Sequence, residues 1–114
     1  MVGHLNVPAL DNSGIPTSLS EKIIKEYLKD QLDFEGLVIS DALNMKAVSD
    51  KYGKTEAVVK AFEAGCDILL FPESVVDAIK AIKKKVEEGK IDRKEVDQRC
   101  LKILKAKEKY VISP

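Results

Sequence analysis

Asp41 stands out by where it falls. Leu37, Val38 and Ile39 are three apolar residues in succession, two of them β-branched, and they read as a short buried strand. Ser40 and Asp41 follow at its end. An ionised carboxylate among apolar residues is costly unless partners hold it. In parallel α/β folds the carboxyl ends of the strands face the active site. Asp41 is therefore a candidate catalytic carboxylate. The other groups capable of chemistry are sparse. His4 is the single histidine, and Cys66 and Cys100 are the two cysteines. One histidine and two separated cysteines do not make a zinc cluster, so no metal is expected. Two readings stand for the cysteines: two buried free thiols, since Cys often packs as a small hydrophobe, or a disulfide between them.

The bulk numbers narrow the partners. In 114 residues, 19 basic and 19 acidic side chains give a formal net charge of zero. A nucleic-acid binder would normally show a basic excess, and so would a binder of anionic membrane surface. No apolar run approaches the ~20 residues of a transmembrane helix. Met1-Val2-Gly3-His4 has neither a basic n-region nor a long apolar h-region, so no signal peptide is visible. That favours a cytoplasmic chain if Met1 is the true start.

Strands and helices must alternate to position Asp41. Residues 2–6 read as a strand, stopped at Pro8, and 8–17 as a loop rich in Pro, Asn, Asp, Ser and Gly. Ser18 and Glu21 have capping-box spacing, and Leu19, Ile23, Ile24, Tyr27 and Leu28 make the inner face of a helix ending near Leu32. After strand 37–40, residues 42–48 form a helical turn carrying Met45 and Lys46, broken by Ser49 to Gly53. A helix over 55–64 buries Val58, Ala61 and Phe62 and ends at Gly65, a residue suited to the left-handed position. Strand 68–71 stops at Pro72. Ser74, with Asp77, caps a helix whose stripe is Val75, Ile79, Ile82 and Val86. Asp92, with Glu95, caps the last, about 93–109, with Val96, Cys100, Ile103 and Leu104 inward and Lys/Arg outward as a solvated face.

The order β, α, β, α, β, α, α implies parallel βαβ crossovers. Three parallel strands leave two open edges, which invite pairing. A doubly wound sheet usually has five or more strands, and a (β/α)8 barrel needs eight. The chain is therefore expected to be part of something larger, or else a self-standing α/β assembly module that pairs its open edges with a second copy.

Several separated motifs then become specific. Phe34-Glu35-Gly36-Leu37-Val38-Ile39-Ser40-Asp41 resembles the nucleophile segment of family 3 glycoside hydrolases, a pattern like G-F-x-G-[LV]-[VI]-x-[ST]-D. Asp33 stands where the pattern usually has Gly, in the turn before the strand. Pro16-Thr17-Ser18-Leu19-Ser20 and Ala64-Gly65-Cys66-Asp67-Ile68-Leu69-Leu70 are similar to the family's approaches to a helix and a strand. Met1-Val2-Gly3-His4-Leu5 and Asp41-Ala42-Leu43-Asn44-Met45-Lys46-Ala47 resemble its β-N-acetylhexosaminidase branch. The β-glucosidase branch usually has Trp after the nucleophile, and this chain has none.

The resemblance implies a fold: a partial TIM-type (β/α)8 barrel, three parallel βα units plus a C-terminal helix, with residues 1–114 as one segment of the C-terminal part of that domain. It implies a retaining exo-β-N-acetylglucosaminidase acting on terminal N-acetylglucosamine of muropeptides or chito-oligosaccharides, with Asp41 as nucleophile and no cofactor. The family's acid/base is a His paired with an Asp in a motif like K-H-F-P-G-H-G followed by D-x-H. No such stretch occurs here, so the chain alone should be inactive. His4 either lines the substrate side or is buried and bonded to backbone. Met45 either walls the acetamido pocket or simply packs, and Lys46 is surface. Pairing with the rest of the barrel, or a change of sugar to glucose or xylose, are the further expectations.

Overall fold

In the computed structural model, which describes residues 1–112, helices are wrapped against three short extended segments. A 3-10 turn, Thr17–Leu19, precedes a π-helix, Lys22–Gln31. Four α-helices follow: α1 Lys46–Tyr52, α2 Lys54–Ala64, α3 Val75–Glu87 and α4 Arg93–Lys107. A π-wound turn, Glu108–Ile112, continues α4. Leu19, Ile24, Val38, Leu43, Val48, Val58, Ala61 and Cys66 meet in one core, with α2 at its centre. No helix among the described residues is long and apolar enough to cross a membrane.

The three expected strands are present only as parallel bridges, Val2 to Ser40 and Ile39 to Ile68, so segment 37–41 lies between the other two. The ladders stop short for local reasons. Parallel pairing uses evenly spaced backbone bonds at steps of two residues. Between the second and third segments, Ile68 N donates to Val38 O (3.1 Å) and Ser40 N to Ile68 O (3.0 Å). On either side of these, side chains take over: Val38 N donates to Asp67 Oδ2 (2.8 Å) and Leu70 N to Ser40 Oγ (3.0 Å). Phe71, at φ 51°, then turns away, so the strand expected over 68–71 cannot run its length. The strand expected over 2–6 ends sooner still. Leu5 N folds back to Gly3 O (3.0 Å), and Leu5 O is taken by Thr17 N (2.8 Å).

The helices depart from the sequence expectations in four places. Ser18 is not a cap. Ser20 Oγ instead accepts Ile23 N at 3.1 Å, and Ser18 is fully buried. Helix α1 runs through Ser49 to Tyr52, because the chain first breaks at Gly53, whose φ is 77°. On α3, Val75 and Ile79 are each 62% exposed, and the small Ala78 makes the buried contact. On α4, Arg93, Lys94, Lys105 and Lys107 are exposed as the expected solvated face, but Cys100 and Leu104 are exposed too, while Arg99 is buried in their place. Cys66 and Cys100 are both free, the first buried and the second exposed. Asp33, the departure from the glycine pattern, adopts φ 53°, a left-handed position that Asp tolerates better than most side chains.

Candidate active site

Asp41 emerges at the carboxyl end of the central segment and is half-buried. Its backbone is fixed there by Asp41 N donating to Val2 O at 3.0 Å. Its Oδ1 accepts the backbone N–H of Ala42 at 2.8 Å. Its Oδ2 faces Gly3, where an added Cβ would stand 3.9 Å away. The turn that follows is anchored by Leu43 N, which donates to Leu70 O at 2.9 Å, so all three segments converge on residues 41–43.

His4 comes to the same place. Its Nε2 lies 2.7 Å from Ala42 O, and its Nδ1 is hydrogen-bonded to Ser18 Oγ. A carbonyl oxygen only accepts, so Nε2 carries the proton in the neutral ring and Nδ1 accepts the Ser18 hydroxyl. Both ring nitrogens are thus engaged within the chain. The ring is half-buried, stands beside the Asp41 turn and is bonded to the Ala42 carbonyl. Met45 starts α1 at the end of this turn, 42% exposed, with its N–H 3.3 Å from Ala42 O. Lys46 is exposed, as expected. Asp41, His4 and Met45 therefore share one end of the segments, linked through the carbonyl of Ala42. Ser18 was missed as part of this group, because S-x-x-E spacing is a stronger local signal than a contact fourteen residues away.

The opposite end is ionic. Asp67, at the start of the third segment, accepts Lys102 Nζ at 3.1 Å, and Lys29 Nζ donates to Gly65 O at 2.8 Å. Burial pushes the Lys29 ammonium and the Arg99 guanidinium below their ordinary ranges. These groups, with Lys25 and Glu95, border a cavity of about 350 Å³. Its cations are already paired with Asp67, Glu95 or backbone carbonyls.

Residues 1–106 match the profile of the glycosyl hydrolase family 3 N-terminal domain. A beta-N-acetylglucosaminidase/beta-glucosidase of Cellulomonas fimi is 28% identical over 94% of this chain and 21% of its own length. A beta-hexosaminidase of Mycobacterium tuberculosis is 33% identical over 90% of this chain and 28% of its own. Among solved structures, a glycoside hydrolase family 3 beta-N-acetylglucosaminidase from Paenibacillus superposes with a TM-score of 0.87 at 32% identity. That match covers 94% of this chain and 21% of the other. The chain thus spans between about a fifth and three-tenths of the length of these relatives.

Proposed function

The chain belongs to glycosyl hydrolase family 3, and from that premise we propose that it is a segment of the catalytic barrel of a retaining exo-β-N-acetylglucosaminidase with Asp41 as nucleophile. The supporting observation is the place of Asp41. It leaves the central parallel segment at its carboxyl end, with Oδ1 held by the Ala42 N–H at 2.8 Å and Oδ2 turned toward Gly3. In retaining hydrolysis a carboxylate oxygen attacks the anomeric carbon while a general acid protonates the departing glycosidic oxygen. Water then attacks the same carbon of the glycosyl ester, gives up a proton to the base, and restores the carboxylate. Oδ2 of Asp41 is the attacking atom in this reading. Met45 walls the N-acetyl group, and His4 borders the sugar with a ring edge, since both its nitrogens are engaged.

No histidine other than His4 exists to serve as the acid/base. The proton donor is therefore supplied by another part of the barrel, and the isolated 114 residues are inactive. A chromogenic N-acetyl-β-glucosaminide tests the first point: turnover by this polypeptide that disappears in Asp41→Ala would show a complete catalyst and overturn it. In the complete barrel, a 2-fluoro sugar should trap a glycosyl ester on Asp41, and an adduct surviving Asp41→Ala would remove it from the role. Matched aryl glucosides and xylosides separate the sugar alternatives. Dimeric solution mass with no binding to the remaining barrel would favour the assembly module.

A further inference from the structure

We infer that Ser18 is a positioning residue for Asp41, acting through His4 and the carbonyl of Ala42. Its side chain is completely buried, yet it is neither a helix cap nor a packing group of any size. A buried hydroxyl needs a partner, and its partner is Nδ1 of His4. Nδ1 can accept only if the neutral ring carries its proton on Nε2, and Nε2–H is the donor that reaches Ala42 O at 2.7 Å. The Ala42 carbonyl, which can only accept, sets the proton on Nε2, and the buried Ser18 hydroxyl then donates to Nδ1 and anchors the other side of the ring that holds the turn.

The consequence falls on the carboxylate. The Ala42–Leu43 peptide is gripped at both ends, its oxygen by His4 and its N–H by Leu70 O at 2.9 Å. With that peptide fixed, the preceding N–H of Ala42 stays aimed at Asp41 Oδ1, 2.8 Å away. Ser18 is itself built in rigidly. Its carbonyl accepts the Cys66 thiol at 3.6 Å, and neighbouring Thr17 bonds to Gly3 O through its hydroxyl. The chain runs Ser18, His4, Ala42, Asp41, and it adjusts the aim of a carboxylate that Ser18 never touches. Its catalytic meaning rests on Asp41 being the nucleophile.

His4 is the only histidine, so long-range proton–nitrogen correlation on the 114-residue chain reads its ring without overlap. The expected spectrum of the neutral ring is a single Nε2–H tautomer. In Ser18→Ala, Nδ1 loses its hydrogen-bond donor and its resonance should shift, and the Ala42 amide should shift with it, while amides of the α2 core hold. Ser18→Thr, which keeps the hydroxyl, should restore both signals. An averaged or Nδ1–H ring in the unaltered chain overturns the inference whether or not the variants fold. So does Ser18→Ala with unchanged ring and Ala42 signals. In the complete barrel, Ser18→Ala should lower kcat by about 10²-fold with little change in KM. A locked ring together with no Asp41 sugar adduct would instead fault the nucleophile assignment and leave the clamp standing.

Discussion

Asp67 Oδ2 accepts the backbone N–H of Val38 at 2.8 Å, in the place where a parallel ladder would use a carbonyl. The same oxygen accepts Lys102 Nζ at 3.1 Å, and the Asp67 side chain is 1% exposed. One carboxylate thus joins the central segment, the third segment and α4. Asp67→Ala leaves a buried N–H without an acceptor and a lysine without its anion, and is expected to cost about 2–4 kcal/mol. Asp67→Asn keeps an acceptor for Val38 and loses only the charge, so it should cost roughly half as much. Urea unfolding midpoints decide the point. Equal losses for the two variants would mean that the Val38 bond contributes nothing.

Arg99 closes the end of α2. Its Nη1 donates to Phe62 O and, at 3.1 Å, to Cys66 O, and its guanidinium stacks 3.8 Å from the centre of the Phe62 ring. A cation on the last carbonyls of a helix also offsets the helix dipole. Arg99→Lys cannot keep both the stack and the two carbonyls, and is expected to lose about 1–2 kcal/mol. Arg99→Ala should lose about 2–4 kcal/mol, since the Cys66 carbonyl is left without its donor as well, while Phe62 O keeps the Gly65 N–H. Glu95→Gln, by contrast, removes a half-exposed partner 3.4 Å away and should cost under about 1 kcal/mol. Thermal unfolding of the three variants checks the ranking, and a larger loss for Glu95→Gln than for Arg99→Lys would refute it.

These contacts also mark how far the sequence could be read. Helix α2 and the capped start of α3, though not the buried face of α3, were legible because their signals are local: Val58, Ala61 and Phe62 on one face, Gly65 at φ 120°, and Ser74 Oγ accepting Asp77 N. The parallel order of the segments and the exit of Asp41 at a carboxyl end were legible from alternation and apolar runs. The face of α4 was not. Its pattern offered Val96, Cys100, Ile103 and Leu104 as the inner stripe, but Arg99 and Lys102 turn inward because their acceptors lie on α2 and at Asp67. Nothing within α4 announces those acceptors. Strand length was misjudged for the same reason, since Asp67 and Ser40 replace ladder bonds from outside their own segments' patterns.

The loop before the π-helix carries an acid-sensitive tie. Ser20 Oγ donates to Asp11 Oδ2 at 2.6 Å, and Ser13 N donates to Asp11 Oδ1 at 3.0 Å. The Ser20 hydroxyl, then Ser13, hold the Asp11 carboxyl down to about 2. A carboxyl lowered on folding contributes stability above its unfolded value near 3.8, and that contribution is lost as pH falls through about 2. Ser20→Ala should raise the Asp11 midpoint toward the ordinary value. Carboxyl-carbon titration by nuclear resonance follows it directly, and an unmoved midpoint would assign the shift elsewhere.

The two thiols should separate in both reactivity and pH response. Cys100 is exposed and Cys66 is fully buried, so a thiol reagent should modify one equivalent promptly and the second only when denaturant opens the core. Burial pushes the Cys66 thiol up to about 11, against an ordinary 9.0. The unfolded chain therefore gives up this proton first as pH rises. The stability contributed by the neutral buried thiol is complete below about 9 and is lost as pH climbs through about 11, by an amount on the order of 2 kcal/mol. Lys29 works the other way, because burial makes its folded ammonium the readier to deprotonate. Comparison with Cys66→Ala isolates the thiol: the alkaline decline between about pH 9 and 11 should be shallower in that variant. Equal slopes, or two thiols modified at one rate in the native chain, would show that Cys66 is not sealed in the core.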